Sequence, residues 1–243
     1  MNKAQEYFHT VSGLLEKAAS TQMDTIGKAA SMIADTMQQD GWLYIFGTGH
    51  SHMLAEEIFY RAGGMVRVKP ILETGLMLHE SASKSTELER LSGYADILLD
   101  EFGPKEGDTM IIISNSGRNS LCVEMASHAK ARGVKTIALT SLTHSSQCSS
   151  RDQSGKRLFE LADLVLDNGG CYGDACVAFG NRMAAPSSTV VGAAILNALE
   201  CAIIEEMEKR NQPIELYSSS NIEGGSEIND QFIKKYKGEI KSL

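Results

Sequence analysis

Apolar residues recur along this chain at two alternating periods. Over residues 3–39 the spacing is helical: Val11, Leu15 and Ala18 form one stripe, and Ile26, Ala30, Ile33 and Met37 another. Gly41 stops the pattern. Trp42-Leu43-Tyr44-Ile45-Phe46 follows as a short continuous apolar run, the mark of a strand buried on both faces. Gly47-Thr48-Gly49-His50-Ser51 turns the chain into a second helical stretch over 51–62, ended by Gly63-Gly64. A second strand is read at 65–72, with Pro70 placing it close to a sheet edge. A polar loop and a helical stretch run on to about residue 102, and Gly103-Pro104 and Gly107-Asp108 punctuate the approach to a third strand at 109–114.

The alternation continues with a helix over 119–132, closed by Gly133, and a fourth strand at 135–140. A serine-rich loop leads to a short fifth strand at 164–166. Residues 168–188 read as a long glycine-containing loop, of the kind that is often functional. A strongly apolar helix over 188–210 stops before Pro213, and residues 213–243 read as a polar tail with one amphipathic helix. Strand and helix in alternation predict an α/β fold, a parallel sheet with helices on both faces. Ligands in such sheets bind beyond the carboxyl ends of the strands, where the strand order reverses.

One segment carries the clearest chemistry. Ile111-Ile112-Ile113 breaks into Ser114-Asn115-Ser116-Gly117-Arg118-Asn119-Ser120, and a helical pattern follows. Strand, tight polar turn and helix start together aim free N–H groups and the positive end of a helix dipole at one point. Ser114, Ser116 and Asn119 add short donors, Gly117 permits close backbone approach, and the Arg118 fork suits a phosphate. The alternative for these side chains is plain helix capping, or solvent in the case of Arg118. Thr48, Gly49 and Ser51 offer a second polar turn of the same kind. His50 and His52 flank Ser51; alternate residues at a helix start do not share a face, so no metal site is expected there, and one of the two is expected to face the pocket.

Composition narrows the partners. The chain has 243 residues, is 42% hydrophobic and carries a net charge of −8, with its basic residues scattered. Scattered basic residues argue against a nucleic-acid surface. No run approaches the roughly 18 apolar residues of a membrane span, and the first residues lack the apolar stretch of a secretory signal. A cytoplasmic protein is expected. The five cysteines, Cys122, Cys148, Cys171, Cys176 and Cys201, are an odd number and read as reduced thiols. A nicotinamide site at Gly47-x-Gly49 fails for want of a third glycine, since Met53 and Leu54 occupy its neighbourhood. No cofactor and no metal are expected.

The two turns, Gly47-Thr48-Gly49-His50-Ser51 and Ser114-Asn115-Ser116-Gly117-Arg118-Asn119, resemble the two recurring segments of the SIS (sugar isomerase) domain family, over roughly residues 30–210. The resemblance implies a flavodoxin-like three-layer fold with a five-stranded parallel sheet, a homodimer, and a phosphosugar bound at the strand ends. The opening G-T-G-H-S-H is similar to the G-N-G-G-S-H of sedoheptulose 7-phosphate isomerases, with His52 matching the final histidine. The chain looks nearest to a bacterial subgroup labelled as phosphoheptose isomerases. Two positions depart from that pattern: Arg61 stands where heptose isomerases carry a catalytic glutamate, and Asn197 where they carry a catalytic histidine. The start of the last helix, Ser187-Ser188-Thr189, and its Leu196-Asn197-Ala198-Leu199 segment resemble the N-acetylmuramic acid 6-phosphate etherases slightly better.

Several SIS isomerases place a catalytic glutamate after the second strand, and the resemblance puts Glu73 there, with Glu80 in reserve. Isomerisation and ether elimination both need such a base. His79, beside Glu80, is a candidate acid–base partner or an exposed loop residue. The organisation expected is an N-terminal helical segment at 1–40, an SIS domain at 41–212 and a tail at 213–243. The function expected is a cofactor-independent phosphosugar isomerase. A lyase-type etherase on an amino-sugar phosphate and a non-catalytic phosphosugar sensor are the alternatives.

Overall fold

A computed structural model describes residues 1–243. Five strands form one sheet: β1 (Leu43–Gly47), β2 (Val68–Ile71), β3 (Thr109–Ile113), β4 (Lys135–Thr140) and β5 (Leu164–Asp167). Their order is β2-β1-β3-β4-β5, and every neighbouring pair is parallel. The order reverses between β1 and β3, so the crevice for a ligand lies beyond the ends of these two strands. Gly47 pairs with Ile113 in the register. The two polar turns therefore leave the sheet side by side.

Ten helices surround it. The first five are α1 (Lys3–Thr21), α2 (Met23–Gln38), α3 (His50–Glu57), α4 (Leu78–Leu88) and α5 (Tyr94–Phe102). The rest are α6 (Ser120–Ala131), α7 (Leu142–Ser145), α8 (Leu158–Leu161), α9 (Ser188–Lys209) and α10 (Gly225–Tyr236). The continuous apolar runs of the strands are explained by two separate cores. Leu43, Ile45, Ile111, Ile113, Ile137 and Leu139 face α1, α2, α3 and α9, packing with Ile26, Ile33, Leu54, Ile195 and Leu199. Tyr44, Phe46, Met110, Ile112 and Ala138 face the opposite way, against Leu98, Leu99, Leu121, Met125 and Ala126 of α5 and α6. Each such side chain contributes about 1.5–3 kcal/mol by leaving water, so the strand positions are fixed from both faces.

The structure departs from the sequence reading in five places, each with a local cause. The 3–39 stretch is two helices, broken at Gln22, whose side-chain Oε1 accepts from the Asp167 amide of β5 at 2.9 Å. The helix read over 51–62 ends at Glu57; Tyr60 beyond it has φ +48 and cannot continue a right-handed helix. Residues 65–66 leave the sheet and instead meet the tail, Met65 bridging Leu216 and the Val66 amide donating to Glu215 O.

The fourth difference is in the 168–188 loop. It contains an antiparallel hairpin, β6 (Ala175–Phe179) and β7 (Arg182–Pro186), closed by Gly180-Asn181 with Gly180 at φ +61. A two-residue loop with a glycine at positive φ is the usual hairpin solution. The tail is also more than a polar extension. Tyr217, Tyr236 and Ile240 are buried in the second core, and the Trp42 ring stacks edge-on against Tyr236 at 5.3 Å. Helix α9 is long and apolar enough to cross a membrane by length and composition alone. Its Val191, Ile195, Leu196, Leu199 and Ile203 are buried in the first core.

Candidate functional site

The first turn is shaped by its glycines. A Cβ at Gly47 would lie 2.4 Å from Ser51 O, so only glycine lets α3 start this close to β1. Gly49 caps α3 at φ +56, and its amide donates to Leu76 O at 3.0 Å, tying the turn to a single 3-10 turn at Thr74–Leu76. No side chain caps this helix start. His50 is exposed, Ser51 is half-buried, and His52 is almost wholly enclosed.

The second turn has the same construction. Gly117 sits at φ +56 with its Cα position against Leu158, and its amide donates to Ser114 Oγ at 3.1 Å. Asn119 is the N-cap residue of α6, but its side chain makes no capping bond. The Leu121 amide in the first turn of α6 donates instead to Glu89 O at 3.2 Å. Ser116 carries a half-buried hydroxyl at the tip of the turn. Asn115 is spent on the fold: its carbonyl accepts from Ser141 N and Thr140 Oγ1, and its Oδ1 accepts from Asn168 Nδ2 at 3.0 Å. The Arg118 guanidinium reaches Ser149 Oγ at 3.1 Å in the loop after β4.

Between the two turns lies Glu89, at the C-terminal end of α4, which the sequence reading did not single out. Thr48 Oγ1 donates to Glu89 Oε2, and Asn119 Nδ2 donates to Glu89 Oε1, both at 2.8 Å. Arg151 Nη1 completes the chain by donating to Asn119 Oδ1 at 2.9 Å. Burial pushes the Glu89 carboxyl above its ordinary value, against the Thr48 hydrogen bond and the charges of Arg90 and Arg151. In sequence Glu89 stands in Glu87-Leu88-Glu89-Arg90, which looks like any solvated helix face. Its partners are 41 and 30 residues away, so no local signal marks it.

The carboxylates favoured from sequence are placed differently. Glu73 caps the 3-10 turn, its Oε1 accepting from Gly75 N at 3.1 Å. Glu80 is exposed and pairs with Lys84 at 3.1 Å. His79 is exposed and shares a cavity of about 220 Å³ with His52 and Gly49. Arg61 and Asn197, the two departures from the heptose isomerase pattern, come together on Glu57: Arg61 Nη1 lies 2.6 Å from Oε2 and Asn197 Nδ2 3.1 Å from Oε1. Ser187 and Ser188 are held by Asp174, whose Oδ1 accepts from both their amides at 3.0 and 2.8 Å. No group of three or more His, Cys, Asp or Glu side chains is arranged to hold a metal.

A half-buried carboxylate thus joins the two turns at the point where the strand order of the parallel sheet reverses. The family profile described as the SIS domain matches residues 6–141. The chain belongs to the SIS domain family. It is 42% identical over 240 residues to the UPF0309 protein of Geobacillus thermodenitrificans, covering 98% of this chain and 96% of that one. A UPF0309 protein of Thermoanaerobacter pseudethanolicus is 42% identical over 244 residues, covering 98% and 99%. Among solved structures the fold is similar to the phosphoheptose isomerase of Neisseria gonorrhoeae, with a TM-score of 0.58 at 15% identity over 83% of this chain and 97% of that one. It is also similar to the sugar isomerase domain of an RpiR transcription factor from Sphaerobacter thermophilus, with a TM-score of 0.52 at 18% identity over 97% and 98%.

Proposed function

We propose that this protein binds a phosphorylated sugar across the ends of β1 and β3 and isomerises it without a redox cofactor. The observation that carries the reading is the Thr48–Glu89–Asn119 bridge: a half-buried carboxylate fixed between the polar turns that follow β1 and β3. Ser114, Ser116 and the amides around Gly117 would hold the phosphate, while Thr48, Gly49 and Ser51 face the sugar. Aldose–ketose isomerisation moves a proton between neighbouring carbons and needs one well-placed base. Glu89 is our choice for it because it joins the two turns where the strand order reverses, whereas Glu73 caps the 3-10 turn after β2. A carboxyl whose protonated form is favoured by burial can both take a proton and return it.

The sensor reading draws support from the likeness to a transcription factor's sugar isomerase domain. Glu89→Gln separates the two. An enzyme loses turnover of its phosphosugar and keeps binding; a sensor has no turnover to lose. We place a second copy of this chain on the face where α1, the β6–β7 hairpin and α9 meet. Phe8, Phe179, Met183 and Val190 are all exposed there, Phe8 at 71%, and Tyr7 Oη ties α1 to Pro186 O at 3.1 Å. All five thiols are free, which fits a reducing compartment such as the cytoplasm.

A further inference from the structure

The Thr48–Glu89–Asn119 bridge has a fourth member, Arg151, whose chemistry limits what the other three can do. Arg151 is exposed in the loop after α7 and is drawn onto the second turn by its backbone. Its amide donates to Arg118 O at 2.8 Å, and its carbonyl accepts from Ser120 Oγ at 3.2 Å. Its Nη1 donates to Asn119 Oδ1 at 2.9 Å. A guanidinium can only donate, so Asn119 turns Oδ1 toward it and Nδ2 toward Glu89 Oε1, 2.8 Å away. The two ends of an amide are nearly alike in shape. Arg151 therefore settles which end meets the carboxylate.

The two oxygens of Glu89 are then unlike. Oε1 faces an amide NH₂ that offers only hydrogens, and a proton placed on Oε1 would weaken the acceptor that Asn119 needs. Oε2 faces the Thr48 hydroxyl at 2.8 Å, which donates to an ionised carboxylate and, by rotating, accepts from a protonated one. The favoured place for a proton is Oε2, on the side of the first turn. Burial raises the Glu89 carboxyl above its ordinary value, and the charges of Arg90 beside it and Arg151 across Asn119 oppose that rise. Cys122 of α6 also faces Glu89, but burial pushes its thiol up to about 12, so it is uncharged at neutral pH.

From this geometry we infer that Arg151 is a positioning residue: through Asn119 it keeps Glu89 Oε1 an acceptor and holds the carboxyl's exchangeable proton on Oε2, beside Thr48. The inference rests on the reading of Glu89 as the base for a phosphosugar and deepens it, since it names Oε2 as the working atom. Without Arg151 the Asn119 amide is free to turn Oδ1 toward Glu89. A protonated Oε1 is then welcome, and the carboxyl keeps its proton to higher pH.

The test uses the full chain and two variants. Arg151→Met removes both donor and charge, and Arg151→Lys keeps both; the side chain is exposed, so the core is not at risk. Carbon-13 NMR titration of the glutamate carboxyls reads the proton affinity directly, with Glu89 assigned from the signal missing in Glu89→Gln. Arg151→Met should raise the pKa of Glu89 by about half a pH unit or more, and Arg151→Lys should leave it near the wild-type value. With a phosphosugar that the wild type isomerises, Arg151→Met should lose about tenfold or more in kcat while KM changes less than about threefold. The acid limb of its kcat profile should move to higher pH together with the carboxyl, and Arg151→Lys should recover most of the rate. A Glu89 titration unchanged in Arg151→Met overturns the inference, whether or not turnover is found. A rise in KM alone, with kcat and the titration kept, makes Arg151 a phosphate contact and overturns it too. A wild type that turns over no phosphosugar removes the enzymatic reading, and the titration still decides whether Arg151 controls the proton on Glu89.

Discussion

Glu89 shows how a single side chain can join two turns that the sequence keeps far apart. Its folded-state pKa lies above the ordinary glutamate value of 4.5 because of burial, so the sign of its effect on stability is fixed. Below about pH 4.5 the group is protonated folded and unfolded, and it exacts no penalty. As pH rises through the raised folded value, the buried charge becomes a net loss. Glu89→Gln keeps an acceptor for Asn119 and meets the Thr48 hydroxyl with a donor, so it should raise Tm at neutral pH. That gain should vanish near pH 4, while turnover falls at least about 100-fold. Melting curves at the two pH values and a rate assay check both. Ser116→Ala should leave Tm within about 1–2 °C and weaken phosphosugar binding about tenfold, the weight of one hydrogen bond to a charged group; calorimetric titration reads it. Unchanged affinity would place the phosphate elsewhere.

At the scale of elements, the strands were legible because both cores press on them. Ile111, Ile112 and Ile113 leave no polar position, and only a doubly covered strand tolerates that. The two turns were legible because each glycine there has a steric reason. Gly117 has φ +56 and a Cβ there would sit 3.2 Å from the Leu158 side chain, so Gly117→Ala should cost about 1–3 kcal/mol and lower phosphosugar affinity together with Tm. Denaturant unfolding measures the first part.

The hairpin at 175–186 was hidden by a different cause. Its β7 strand is largely exposed, so no buried face imposes an alternating pattern that a reader could detect. Asp174 was missed likewise, since its partners Ser187 and Ser188 follow the hairpin. Its Oδ1 accepts from the Ser187 and Ser188 amides at the start of α9 and its Oδ2 from the Ser188 hydroxyl, and Asp174→Ala should destabilise the fold by about 1 kcal/mol, seen as an earlier melting transition.

For the whole molecule, the doubly wound architecture followed from alternation alone, but the placement of the tail did not. The apolar side chains of residues 213–243 are widely spaced among polar ones; Tyr217, Tyr236 and Ile240 enter the core, while Ile222 and Ile228 stay exposed. Tyr236 is also anchored through its hydroxyl to Glu215 Oε2 at 2.5 Å. The carboxylate between the two turns was the least legible part of the candidate site. Conformational constraints on glycine and serine act locally, whereas a carboxylate's role is set by what surrounds it in three dimensions. The central claim, a phosphosugar across β1 and β3, is tested most directly by thermal stabilisation with a panel of sugar phosphates, their parent sugars and inorganic phosphate. A ligand at a hundred times its Kd should add roughly 2.7 kcal/mol, or about 5–10 °C in Tm. The account predicts such a shift with at least one phosphosugar and none with its parent sugar; no shift with any phosphosugar would contradict it.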